Sequence, residues 1–248
     1  MSNDNSLLLR TRGLTRRFGG LLAVSDLNLD IRKEEILGLI GPNGAGKSTT
    51  FNLISGFIKP TAGKLEIFGR ECTGLSPTKI SRMGLVRTFQ HSSYMRTMTV
   101  RDNILLGTVH GMSRASQAER KRRVDETAGI LGVTAHLDSQ AGTLPHGIQR
   151  LVSIAIAFAA RPKLLCLDEP LTGLNQTEVA GTLDVFRAIR RDFGCTILLV
   201  EHNMKAVMSV CDRLVVLHHG QQLATGTPAE IRTNEHVIAA YLGKRHDK

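Results

Sequence analysis

The sequence predicts an α/β fold around a mostly parallel sheet, with an antiparallel β part at the N-terminus and a helical insert in the middle. Three observations predict it. Residues 164–167, 196–200 and 214–217 are short, continuous apolar runs, the pattern of strands covered on both faces. Helical patterns at 178–192 and 204–211 separate them, the second carrying Met204, Val207, Met208 and Cys211 at i, i+3, i+4 and i+7, a stripe that reads as core filling. A glycine-rich loop, Gly41-Pro42-Asn43-Gly44-Ala45-Gly46-Lys47-Ser48, joins the apolar run 36–40 to a helical pattern at 48–57. Alternation of strand and helix is the signature of an α/β core.

Composition narrows the classes. With 248 residues and 42% hydrophobic content, the chain can bury a core without disulfides or metal staples. Cys72, Cys166, Cys195 and Cys211 lie far apart with no C-x-x-C pair, which suits a reducing, cytoplasmic location. No apolar run approaches the ~20 residues that span a bilayer, and the polar residues 1–5 do not read as a signal peptide. A net charge of +10 suits an anionic surface or nucleic acid. The run Arg120-Lys121-Arg122-Arg123 is interleaved with acids and reads as a solvated helix face. With no Trp and two Tyr, the stacking aromatics of a single-strand binder are scarce, so no nucleic acid is expected.

Taken in order, residues 7–14 and 27–31 read as strands flanking a turn at 16–20, and 36–40 as the strand before the loop. A turn at 59–63, a strand at 64–68, a short helix within 76–83 and a strand at 85–90 follow. The character then turns helical, with Thr99 a cap for a helix through Leu106 and a basic helix over 113–131. A loop at 142–150 opens the helix 148–160, which stops before Pro162. The expected organisation is one domain, a core of 1–90 and 160–248 around a helical subdomain of about 91–159.

The loop fits G-x-x-x-x-G-K-[ST] at every fixed position, between a strand and a helix as that motif requires. Its backbone N–H groups can cradle phosphates, the helix N-terminus adds positive potential, Lys47 can reach the β/γ-phosphates, and Ser48, followed by Thr49, can ligate Mg²⁺. Asp168 and Glu169 end the apolar run 164–167. Asp168 suits a magnesium ligand, direct or through water, and Glu169, expected on the opposite side of the strand end, suits a general base. Gln90, ending a strand, can offer its amide oxygen to the metal, and His202 can hydrogen-bond a γ-phosphate. Phe18 lies in a loop where an aromatic can either stack on an adenine or pack in the core.

In this order these residues resemble the ATP-binding subunits of ABC transporters across essentially the whole chain. The resemblance implies a P-loop NTPase fold of the ABC ATPase type with ATP and Mg²⁺ as cofactors. It places Phe18 at the adenine-stacking aromatic, Gln90 at the Q-loop, Asp168-Glu169 at Walker B and His202 at the switch histidine. It also implies a sandwich of two such domains, each contributing a signature loop to the other's nucleotide. Here that loop is Leu144-Pro145-His146-Gly147-Ile148-Gln149 in place of L-S-G-G-Q. Pro145 supplies neither a hydroxyl nor an N–H, while Gly147 and the helix N-terminus remain, so a working but weakened composite site is expected.

Finer motifs, Arg17 to Leu21, Phe51 to Gly56, Arg87-Thr88-Phe89-Gln90, Val200 to Met204, the Asn175 that follows Gly173-Leu174, and the ending from Gly226 to Gly243, are similar to the branched-chain amino acid importer branch. The chain resembles the larger of that branch's two ATPase subunits, with a shorter helical insert. The resemblance implies a second ATPase subunit, like or unlike, and two integral membrane permease subunits. It further implies an extracytoplasmic solute-binding protein acting indirectly, and a peripheral place on the cytoplasmic face of the inner membrane. Importers of urea or short amides share these motifs. Two other classes compete: a soluble ABC-type ATPase acting on DNA or the ribosome, and a regulator that holds ATP without turning it over.

Overall fold

The computed structural model describes residues 7–88, 94–111 and 115–242, and the chain divides into two compact units, Met1–Met83 with Leu198–Lys248, and Gly84–Ile197. In the first unit a five-stranded antiparallel sheet runs β2-β1-β5-β6, from β1 (Leu7–Phe18), β2 (Leu21–Leu27), β5 (Ala62–Ile67) and β6 (Arg70–Glu71), with β3 (Asp30–Arg32) also on β1. β1 continues through residues expected in a turn, because Phe18 pairs with Leu21 across Gly19-Gly20, a two-residue hairpin.

The same unit holds the parallel pair β4 (Ile36–Ile40) and β10 (Arg213–His218), with β11 (Gln221–Gly226) antiparallel on β10. All five residues of β4 are buried, as a strand covered on both faces requires. Arg213 fixes the start of β10 by donating to both oxygens of Glu35, at 3.2 and 2.8 Å. After β4 comes α1 (Lys47–Ile54), which stops at Ser55 ahead of Gly56, in the left-handed region at φ 76°, rather than running on to Phe57. α2 (Pro77–Met83) closes this part. Beyond β9 (Thr196–Val200), which runs across the division, the unit adds α7 (Met204–Val210), α8 (Pro228–Thr233) and α9 (Glu235–Leu242).

The second unit pairs β7 (Leu85–Arg87) in parallel with β8 (Leu164–Asp168). Its helices are α3 (Val100–Gly111), α4 (Gln117–Ile130), α5 (His146–Ala159) and α6 (Gln176–Phe193), with 3-10 turns at Thr134–His136 and Ala141–Thr143. Thr99 caps α3 as expected, its hydroxyl accepting the Asp102 N–H at 3.1 Å, but the helix reaches five residues beyond Leu106. α4 begins at Gln117, set by a reciprocal capping box between Ser116 and Glu119, not at Ser113. Phe158 and Phe193 meet edge to face at 5.2 Å, and the Arg161 guanidinium lies over both rings, tying the ends of α5 and α6 together. All four cysteines are buried and free of disulfides. Among the described residues no helix is long and apolar enough to cross a membrane.

Candidate nucleotide site

In the first unit the glycine-rich loop turns out of β4 under tight steric demands. At Gly41, φ 152°, a Cβ would lie 2.2 Å from the Leu217 carbonyl oxygen, and at Gly46, φ 100°, 2.6 Å from that of Ala23. Only glycine fits either place. The turn after β10 pins the loop from outside: Gly220 donates to the Ala45 carbonyl at 3.0 Å and accepts from Ser25 at 2.8 Å. Gly46 is the N-cap of α1, with no side-chain cap and no acidic residue in the first turn, so the orphan N–H groups and the dipole's positive end open where an anion would bind. The Lys47 ammonium folds back onto the carbonyls of Gly41 at 2.6 Å and Pro42 at 3.0 Å. Asn43, Gly44 and Ser48 are exposed, and Thr49 is half-buried.

Two aromatic residues of this unit stand out, and one of them touches the loop. Phe18 is 43% exposed, with the Arg16 guanidinium 4.4 Å over its ring, which removes the core-packing reading of that side chain. Tyr241, on α9, receives a hydrogen bond from the backbone N–H of Gly41; burial pushes its phenol up and this bond opposes the shift. Nothing local in the sequence signals that contact. His202 follows β9 with its side chain 61% exposed, its backbone N–H donating at 3.1 Å to Glu201, itself buried. Glu201 also accepts the Asn203 N–H, at 3.4 Å, and the Asn203 side chain caps α7. That buried carboxylate, which sets the turn carrying His202, went unread in the sequence.

In the second unit β8 delivers Asp168, 6% exposed. Its backbone N–H reaches the Thr88 hydroxyl at 3.4 Å, and its Oδ2 accepts from the Arg87 guanidinium at 3.0 Å. The strand ends there: Glu169 is half-buried in the left-handed region at φ 47°. Strand alternation therefore does not aim its side chain, and a non-glycine residue held in that region stores strain of the kind found at active sites. Gln90 lies outside the described residues.

The loop Leu144–Gln149 opens α5 two residues earlier than expected. Pro145 is its N-cap and offers no side-chain cap; His146 is exposed at the first helical position, and Gly147 is buried. A Cβ on Gly147 would meet Glu178 Oε1 at 2.3 Å, and one on Gly173 the His146 ring at 3.0 Å, so the turn before α6 packs on this loop. Asn175 is a helix cap, in a capping box with Glu178. Gln149 donates to the carbonyls of Leu144 at 2.7 Å and Gly142 at 3.4 Å.

The first unit thus carries the glycine-rich loop with Lys47 and Ser48, together with the exposed Phe18 and His202, and the second a strand-end acid pair and the Pro145-His146-Gly147 helix start. The model of the ABC transporter family matches residues 24–172, and that of the branched-chain amino acid ATP-binding cassette transporter matches residues 221–247. The chain is 44% identical to the high-affinity branched-chain amino acid transport ATP-binding protein LivG of Salmonella typhimurium, over 96% of this chain and 98% of that one. It is 40% identical to BraF of Pseudomonas aeruginosa over the same shares, also described as a high-affinity branched-chain amino acid transport ATP-binding protein. Among solved structures, the ADP conformation of an ATP-binding cassette of an ABC transporter matches with a TM-score of 0.85 and 27% identity, covering 96% of this chain and 99% of that one. The chain belongs to the ABC transporter family, as one of its ATP-binding cassettes, and has the α/β fold of that ATPase.

Proposed function

We propose that this chain hydrolyses ATP to drive import of branched-chain or related amino acids. In this reading it sits peripherally on the cytoplasmic face of the membrane, with two permease subunits and a second ATP-binding subunit as partners. The observation that carries the proposal is near-full-length likeness to LivG and BraF together with the branch's own C-terminal segment at 221–247.

The residues divide the work. Phe18, exposed at the end of β1, stacks on the adenine. The N–H groups of Gly41 to Thr49 hold the phosphates, and Lys47 leaves the carbonyls of Gly41 and Pro42 for the β/γ-phosphates. Ser48, Gln90 and Asp168 carry the oxygen donors assigned to magnesium. Those oxygen donors fit a hard cation, whose remaining positions phosphate oxygens and water would fill. Bound MgATP supplies the transferable phosphoryl group and the charge that Lys47 offsets. Glu169 takes a proton from the attacking water, and His202 holds the γ-phosphate end of that arrangement. Pro145, His146 and Gly147 face the nucleotide of the partner ATPase, and Pro145, lacking hydroxyl and N–H, weakens that contact.

The helical subdomain, about 91–159, passes the cycle to the permease. α3 carries Leu106 and Val109, 46% and 49% exposed and three residues apart on the helix, exposed apolar side chains that suit a membrane-protein partner.

Gentle extraction of the tagged chain from native membranes, followed by mass spectrometry, tests the assembly. Two integral membrane subunits and a second ATPase are expected to travel with it. Recovery without membrane proteins contradicts the reading.

A further inference from the structure

We infer that Arg87 is a positioning residue for the metal-holding carboxylate, setting how much magnesium the site needs; this rests on the assignment of Asp168 to magnesium. The two side chains meet at 3.0 Å, with 10% and 8% of their surfaces exposed. Parallel pairing creates the meeting: β7 lies beside β8 with Arg87 opposite Cys166, and the next residue, Thr88, donates to the Cys166 carbonyl at 2.9 Å. From there Arg87 reaches Asp168, two residues further along β8, while the Thr88 hydroxyl accepts the Asp168 N–H at 3.4 Å. The end of β7 thus fixes both the backbone and the carboxylate of Asp168.

The chemistry makes this more than a packing contact. The oxygens of a carboxylate this deep need hydrogen-bond donors. Arg87 supplies a charged donor to Oδ2 at 3.0 Å, a contact that restrains how the carboxylate faces a metal or its water. Groups that orient a metal ligand in this way change metal affinity by about 10–100-fold when removed. In the sequence Gln90 follows Arg87 by three residues, so the residue that restrains one assigned ligand closely precedes another.

The test is magnesium titration of fluorescent ADP binding to the purified full chain, with the metal-free affinity measured in chelator, for wild type, Arg87→Gln, Arg87→Lys, Asp168→Asn and the double variant Arg87→Gln/Asp168→Asn. Arg87→Gln is expected to raise the magnesium midpoint about tenfold and to leave the metal-free affinity within about twofold. Arg87→Lys, which keeps the charge but not the fixed donor geometry of the guanidinium, should shift it about threefold, and the double variant should match Asp168→Asn. A midpoint within about twofold of wild type in Arg87→Gln overturns the inference, as does an equal change with and without metal. Should Arg87→Gln fail to fold, an unshifted Arg87→Lys overturns it instead. An unshifted Asp168→Asn sinks the magnesium assignment itself, a failure separate from that of Arg87.

Discussion

The Tyr94 hydroxyl donates to Gln149 Oε1 at 2.5 Å, and Gln149 passes the restraint on by donating to the Leu144 carbonyl at 2.7 Å. Tyr94, four residues beyond Gln90 in the sequence, is thereby tied to the backbone immediately before Pro145. A neutral hydrogen bond contributes about 1 kcal/mol. Tyr94→Phe should therefore cut ATPase activity in the assembled complex about fivefold while ATP binding to the isolated chain stays unchanged. Stopped-flow hydrolysis and equilibrium binding check the two halves.

The Lys47 ammonium donates to two carbonyls of its own loop, at 2.6 and 3.0 Å. Lys47→Met should lower hydrolysis more than about a hundredfold through loss of charge at the developing phosphoryl oxygens. Urea denaturation of the nucleotide-free chain should change by less than about 1 kcal/mol.

The glycines of the loop are not equivalent. A Cβ on Gly41 would press on the Leu217 carbonyl, whereas one on Gly44, φ 78°, finds nothing within 4 Å. Gly41→Ala should cost about 3 kcal/mol or more and Gly44→Ala about 1–2 kcal/mol, the strain of a left-handed backbone alone. Denaturant midpoints measured side by side check the order.

At the start of α5, Pro145 is an N-cap without a side-chain acceptor. Pro145→Ser restores a hydroxyl and an N–H and should raise ATPase activity several-fold in the complete transporter, with helix stability gaining about 1 kcal/mol. Unchanged turnover would mean that the departure at this loop does not limit the cycle.

Along α3, Leu106→Asp should leave the hydrolysis of the isolated chain within about twofold and abolish recovery of the permease subunits in detergent pull-downs. A charge placed in an apolar contact costs several kcal/mol when desolvated.

What the sequence discloses follows how local each feature is. The glycine-rich loop was legible because strand, turn and helix are contiguous, and Lys47 and Ser48 follow at fixed offsets. Asp168 stood out as the acid ending an apolar run. The capping box of Ser116 and Glu119 is a local signal that starts α4 at Gln117, four residues after the expected 113. Other features depend on contacts no local pattern encodes. Arg87 meets Asp168 only because β7 and β8 pair in parallel, and Tyr241 receives the N–H of Gly41 from two hundred residues away. The left-handed turn at Glu169 carries no mark in a side chain whose usual conformation is different.

The central claim is that ATP hydrolysis by this chain powers amino acid uptake. The most direct test is entry of radiolabelled leucine into cells whose own copy is deleted and replaced by wild type or Glu169→Gln. The account predicts that wild type restores energy-dependent uptake and that Glu169→Gln, expressed and membrane-bound at equal level, gives less than about a hundredth of it. Uptake of leucine, isoleucine and valine that is the same with wild type, with Glu169→Gln and with no copy at all would contradict it.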